Sequence, residues 1–147
     1  MRRYAIMSIM LFVLALYQTG CTSAEKHDPT NSDLMAQIIG TWAYKSDTLT
    51  YTSTYRPDGR VRFSGTVVID TSNLTGKPVK ASLPFIAIGK FKIQNDIMTT
   101  VIESSSGDAA ILWSVGKIRK CHIIKLSRRT FIYKMDNKQF KERRSRP

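Results

Sequence analysis

Cysteine, histidine and long apolar runs are what this 147-residue chain has least of, and each scarcity excludes a class of function. There are two cysteines and two histidines. His27 lies in a polar stretch near the N-terminus, and His122 sits beside Cys121. Neighbours in a strand point to opposite faces, so Cys121 and His122 cannot share a metal ion or pair as nucleophile and base within one strand. A zinc centre would need further ligands at suitable spacing, and none stands there. Gly-rich phosphate loops, the Gly-x-Ser-x-Gly elbow and His-Glu-x-x-His are all missing. Asp58 and Asp96 sit in turn sequences and read as turn residues. The expectation is a protein that is not an enzyme, with no cofactor and no metal. The longest apolar run, Tyr4 to Tyr17, is shorter than the roughly 20 helical residues that cross a bilayer core of ~30 Å.

That run does have a recognisable setting. Met1-Arg2-Arg3 precedes it and Gln18-Thr19-Gly20-Cys21 follows, which is a basic region, a hydrophobic region and a small-residue cleavage site. The pattern resembles the lipobox of bacterial lipoprotein signal peptides, with Gln18 where those signals usually carry an aliphatic residue. The resemblance implies that residues 1–20 are removed and that Cys21 becomes the acylated (palmitate-bearing) first residue. The protein would then be held at the cell envelope by its lipid. Thr22 after the cysteine, in place of Asp, points to the outer membrane in a Gram-negative host. A second site at Thr22-Ser23-Ala24 suits ordinary signal peptidase. Cleavage there would give a secreted or periplasmic protein starting at Glu25.

With Cys21 acylated, Cys121 is left without an intrachain partner and reads as a small, semi-buried apolar residue. Charge is distributed unevenly. Residues 21–116 carry nine basic and nine acidic side chains, whereas residues 117–147 carry twelve against two. Such a cluster attracts anionic lipid headgroups or acidic partners, although lysines also serve simply to solvate strand edges. No nucleic-acid motif accompanies it, and nucleic acid is not an expected partner of an exported protein.

Residues 21–31 are polar and read as a tether. Asn31, Ser32 and Asp33 are candidate helix caps, followed by the apolar stripe Leu34, Met35, Ile38 and Ile39, with Gly40 as the stop. Beyond Gly40 the pattern alternates. Val61, Phe63, Gly65, Val67 and Ile69 share one face of the strand Arg60 to Asp70, and mostly polar residues share the other. Gly65 suits a tight bend. Further strands are expected at 48–56, 85–93, 97–103, 118–126, 130–135 and 139–143, with turns at Pro57-Asp58-Gly59, Asn95-Asp96, Ser127-Arg128-Arg129 and Asp136-Asn137-Lys138. Segments 71–80 and 104–110 read as mouth loops. The sum is one all-β domain over residues 32–147, an antiparallel up-and-down barrel of about eight strands with a short N-terminal helix.

Gly40-Thr41-Trp42 opens the first strand directly after that helix. Gly89 to Thr100, and Ile123 to Ser127 before Phe131, follow in order. Together these resemble bacterial lipocalin-like domains. The resemblance implies that Trp42 plugs the closed end of the barrel under a basic residue of the last strand, Arg143 or Arg144. It further implies a cavity for a small hydrophobic or amphiphilic ligand, with Tyr44, Tyr51, Tyr55, Phe63, Phe85 and Phe91 as candidate lining residues. The alternative is a protein-binding envelope module (an assembly factor, secretion pilot or inhibitor) whose barrel is filled. Cavity size and exposed apolar surface near residues 117–147 discriminate between the two.

Overall fold

The computed structural model describes residues 30–70, 72 and 80–145. The signal-like segment, Cys21, the alternative site at Ala24, most of the tether, nearly all of 71–79 and Arg146 lie outside the described residues.

Helix α1 (Asn31–Ile38) leads into eight strands: β1 (Gly40–Lys45), β2 (Leu49–Tyr55), β3 (Arg60–Asp70), β4 (Lys80–Gln94), β5 (Ile97–Ser106), β6 (Ile118–Leu126), β7 (Thr130–Met135) and β8 (Lys138–Arg144). Each pairs antiparallel with the next, and β8 returns to β1, so the chain is a closed up-and-down barrel. Closure removes the free edges that open sheets must protect.

Alternation explains the strands. In β2, Tyr51, Ser53 and Tyr55 are buried while Thr50 and Thr52 are exposed; in β4, Phe85, Ala87, Gly89, Phe91 and Ile93 face in. Two of the tight turns are made by asparagine–aspartate pairs. Asn95 and Asp96 have φ of 50° and 60°, and Asp136 and Asn137 have 49° and 61°, left-handed values that short polar side chains tolerate and that match hairpin twist. Gly65 lies where β3 bends against β2: a Cβ there would stand 2.2 Å from the Thr50 carbonyl oxygen. Gly89 adjoins a register shift between β4 and β5 and is as tightly held against Val101.

Several boundaries differ from the sequence reading. Strand β4 begins at Lys80, not at 85, because Lys80 to Pro84 pair with Asp70 to Thr66, and it runs on to Gln94; β2 is one residue shorter at each end. The helix cap is Thr30, whose hydroxyl accepts from the Asp33 N–H while the Asp33 carboxylate accepts from the Thr30 N–H, a reciprocal box that uses one residue earlier than expected. Strand β5 runs on through Ser106, because Ser104, Ser105 and Ser106 pair with Ile88, Ala87 and Ile86. The irregular mouth segment is therefore 107–117, with a short 3₁₀ helix at Ala110–Trp113. Strand β8 also starts one residue early, at Lys138.

Chain direction sorts the connections. The β5–β6 segment shares one end of the barrel, the mouth, with the β1–β2 and β7–β8 turns. Helix α1 lies at the opposite, closed end, where Asn31 accepts a hydrogen bond from the Asn95 N–H. Buried Leu34 and Ile38 form its inner face. Trp42 is fully buried above them, donating from Nε1 to the Ile38 carbonyl at 2.7 Å and meeting Phe131 edge-on. Removing a side chain of this size from water contributes about 3 kcal/mol.

Candidate functional site

Arg144, the last residue of β8, closes the base. Its guanidinium carbon stands 4.4 Å from the centroid of Trp42, Nη1 donates to the Ile39 carbonyl at 2.9 Å, and Nη2 donates to the Gln37 carbonyl. Arg143 alternates outward and is exposed, so Arg144 rather than Arg143 covers the tryptophan. Period two decides this: Phe140, Glu142 and Arg144 share the inner face of β8.

Above that base the interior is filled by rings. Tyr55 packs edge-on against Phe91, Phe63 and Phe131. Tyr51, Tyr55 and Phe63 line a small cavity of about 20 Å³ together with Trp113, Arg119, Cys121 and Tyr133. That is room for about one water molecule. Phe85 and Phe91 are buried but do not line it. Tyr44 is half-buried where the β1–β8 seam opens, between Tyr51 and Phe140 at centroid distances of 5.2 and 5.6 Å.

A polar knot sits among these rings. Glu142 is 1% exposed. Its Oε2 accepts from Ser53 at 2.7 Å, and its Oε1 lies 2.9 Å from both the Tyr51 and the Tyr133 hydroxyls, which are themselves 2.7 Å apart. Three oxygens in mutual contact need three hydrogens to close the ring. The two tyrosines supply two, and Glu142 supplies the third in its protonated form, which burial favours. Burial pushes the Glu142 carboxyl above its ordinary range, against the opposing pull of the Ser53, Tyr51 and Tyr133 hydroxyls and the Arg119 charge. Burial also raises Tyr51 and Tyr133, with the Glu142 charge adding to it. Cys121, facing the same space, is pushed up to about 12 by burial first and the Glu142 charge second. His122, its neighbour, is exposed on the outer face. Among the described residues no group of His, Cys, Asp or Glu could hold a metal ion.

Trp113, like Glu142, is a residue that sequence reasoning missed. The 3₁₀ helix drops its indole into the mouth, stacked on Phe85 at 5.1 Å and against Phe63 at 4.5 Å, with the Arg119 guanidinium 3.9 Å above its ring. Apart from that ring, the partner of Arg119 is Met135, whose Sδ accepts from Nη2 at 3.7 Å; among the described residues Arg119 has no salt bridge. Beside the plug runs an open groove of about 300 Å³, walled by Leu49, Val67, Leu112 and Trp113 and edged by Lys117 and Arg119. The mouth is thus an apolar trough with two cations on its rim.

No family model matches this chain, and no curated protein matches it. Among solved structures, it is similar to the crystal structure of an uncharacterized protein from Bacteroides eggerthii, at 10% sequence identity and a TM-score of 0.45, over 74% of this chain and 99% of that one.

Proposed function

We propose that this barrel is a lipid-anchored, lipocalin-like protein of the cell envelope that binds a small anionic amphiphile at its mouth. The observation that carries the reading is Arg119. A cation over an indole at the edge of an apolar trough, in no salt bridge among the described residues, suits a ligand with an acidic head and a hydrocarbon body. Lys117 adds a second positive charge to the same rim. The ligand's body lies along Leu49, Val67 and Leu112. Deeper entry requires the Trp113 indole to leave the mouth, because the interior otherwise holds about 20 Å³. The anchor is Cys21, placed by the lipobox-like signal, with the outer membrane as its site in a Gram-negative host. Catalysis has no place in this reading: burial raises the Cys121 thiol and holds its proton, and the adjacent histidine faces away.

Native mass spectrometry of the full chain from its own host tests the carrier. A co-purifying acidic amphiphile, lost in Arg119→Gln, supports it; consistently bare protein overturns it. Cys21→Ser tests the anchor, which predicts loss of palmitate incorporation and of membrane fractionation. An unchanged distribution refutes the lipoprotein reading.

A filled interior favours a second reading, a module that binds another protein through its outer face. A stable complex recovered with bare barrel, surviving Arg119→Gln, decides for that one.

A further inference from the structure

The mouth carries an aliphatic tip that nothing among the described residues covers. In the β5–β6 segment Ile111 is 81% exposed, Val115 64% and Leu112 49%; Ile118, opening β6, is 60% exposed. The surface continues onto the barrel wall, where exposed Val101 stands opposite Ile118 in the β5–β6 ladder. Clustered apolar exposure of this kind marks an interaction surface.

Charge stands directly behind it. Lys117, Arg119 and Lys120 follow the tip, and Asp108 is the one carboxylate between residues 107 and 120. The salt bridge found among the described residues joins Lys90 to Glu103, so Lys117 and Lys120 have no acidic partner there.

We propose that this tip docks on a bilayer containing anionic lipid. Ile111, Leu112, Val115 and Ile118 enter the headgroup region, and Lys117 and Lys120 pair with lipid phosphates. Composition favours a bilayer over a protein. Protein interfaces concentrate aromatic residues and arginine and are depleted in lysine. Here the exposed residues are Ile, Leu, Val and Lys, and the segment's aromatic residue, Trp113, is turned inward. Aliphatic side chains backed by lysine are the composition of interfacial membrane binders.

Reach permits it. The tip is at the end opposite α1, and β5, with ten residues, is about 34 Å long. The nine Cα–Cα steps from Cys21 to Thr30 span about 30 Å when extended. A barrel held at Cys21 can therefore lie along the bilayer with its tip touching the same leaflet. The docking needs no ligand, so failure of the carrier reading leaves it standing.

The test uses the full chain purified from host membranes, with a nitroxide label on Val115→Cys. Buried Cys121 does not compete for the label. The protein is placed in vesicles of phosphatidylcholine, with or without phosphatidylglycerol, and immersion depth is read from oxygen and nickel relaxation. The label should sit in the bilayer on the anionic vesicles and in water on the neutral ones. Lys117→Gln and Lys120→Gln should each shift the partition about fivefold toward water. A matching label on Asp58→Cys, in a turn at the closed end, should stay in water throughout. Four results overturn the proposal: label 115 in water on both vesicles; equal insertion on both, insensitive to the lysine changes; insertion of label 58 as well; or shielding of label 115 in native envelope but not on protein-free vesicles, which would make the partner a protein.

Discussion

Glu142→Gln should leave the barrel at least as stable as the parent at neutral pH and less stable only in acid. In the unfolded chain Glu142 releases its proton near pH ~4.3. Folded, it holds the proton to higher pH, because burial raises its carboxyl. Between those two values the folded state binds more protons than the unfolded one. The stability this residue contributes is therefore fully present below the unfolded value and is lost as pH rises through the folded one, at about 1.4 kcal/mol per pH unit. Glutamine imitates the protonated acid: its carbonyl accepts from Ser53 and its amide donates to the Tyr51 and Tyr133 oxygens. Its stability does not follow that slope. Glu142→Ala behaves differently. The Tyr51–Tyr133 bond survives, so Ser53 and one tyrosine hydroxyl are left unpaired in a buried space at about 1–3 kcal/mol each, and a loss of about 2 kcal/mol or more is expected, largest in acid where the Glu142 contribution is full. Urea unfolding followed by near-ultraviolet circular dichroism from pH 4 to 8 measures all three proteins. The difference between parent and Glu142→Gln cancels the other carboxylates. A difference that stays constant with pH refutes the reasoning, since it means that Glu142 has the same charge folded and unfolded.

Arg144→Ala should cost about 3 kcal/mol, from one stacked cation and two hydrogen bonds to helix-end carbonyls, and Arg144→Lys about half of that; an equal effect of Arg143→Ala in urea unfolding would contradict the assignment of Arg144 to the base. Cys121 should resist a thiol reagent at pH 8 while folded and react within minutes in denaturant; rapid reaction of the native protein would show that the thiol is not buried as described. Trp113→Ala should open the mouth, so that an apolar fluorescent dye binds the variant and not the parent, with a stability loss of about 3–5 kcal/mol in the same unfolding assay. Equal dye binding by both proteins would show that the indole does not close the mouth. Gly65→Ala should destabilise by more than about 2 kcal/mol, because its methyl has no space beside the Thr50 carbonyl; a neutral result would mean that β2 and β3 can part there.

Strands were legible because their evidence is local. Val61, Phe63 and Gly65 alternate with Arg60, Arg62 and Ser64, and that period survives folding unchanged. Closure followed from the number of strands and the shortness of most turns. Trp113 was not legible. Ala109-Ala110-Ile111-Leu112-Trp113 has no strand period and is too short for a helical one, and the indole's direction is set by Phe63 and Phe85 from distant strands. Glu142 was hidden for a different reason. It stands in a run of basic residues, and composition there speaks for a solvated tail. Extending the period from Phe140 would have placed it inside with Arg144, yet nothing local announces the three hydroxyls that receive it. Thr30 was passed over as a cap because three equally good capping residues follow it.

The β1–β8 seam has a kinetic consequence. Two residue pairs, Trp42 with Arg144 and Ala43 with Arg143, make up its ladder, joining parts of the chain about as remote from each other as the domain allows. Loop-closure entropy makes such a contact the last to form. Until it does, an eight-stranded sheet stands open with two bare edges, each a template for another copy. Lys45 on one edge, and Lys141 and Arg143 on the other, put like charge on every such encounter between chains. The basic last strand is thus a guard during folding as much as a feature of the finished barrel, and neutralising it should show first as aggregation on refolding rather than as lost stability.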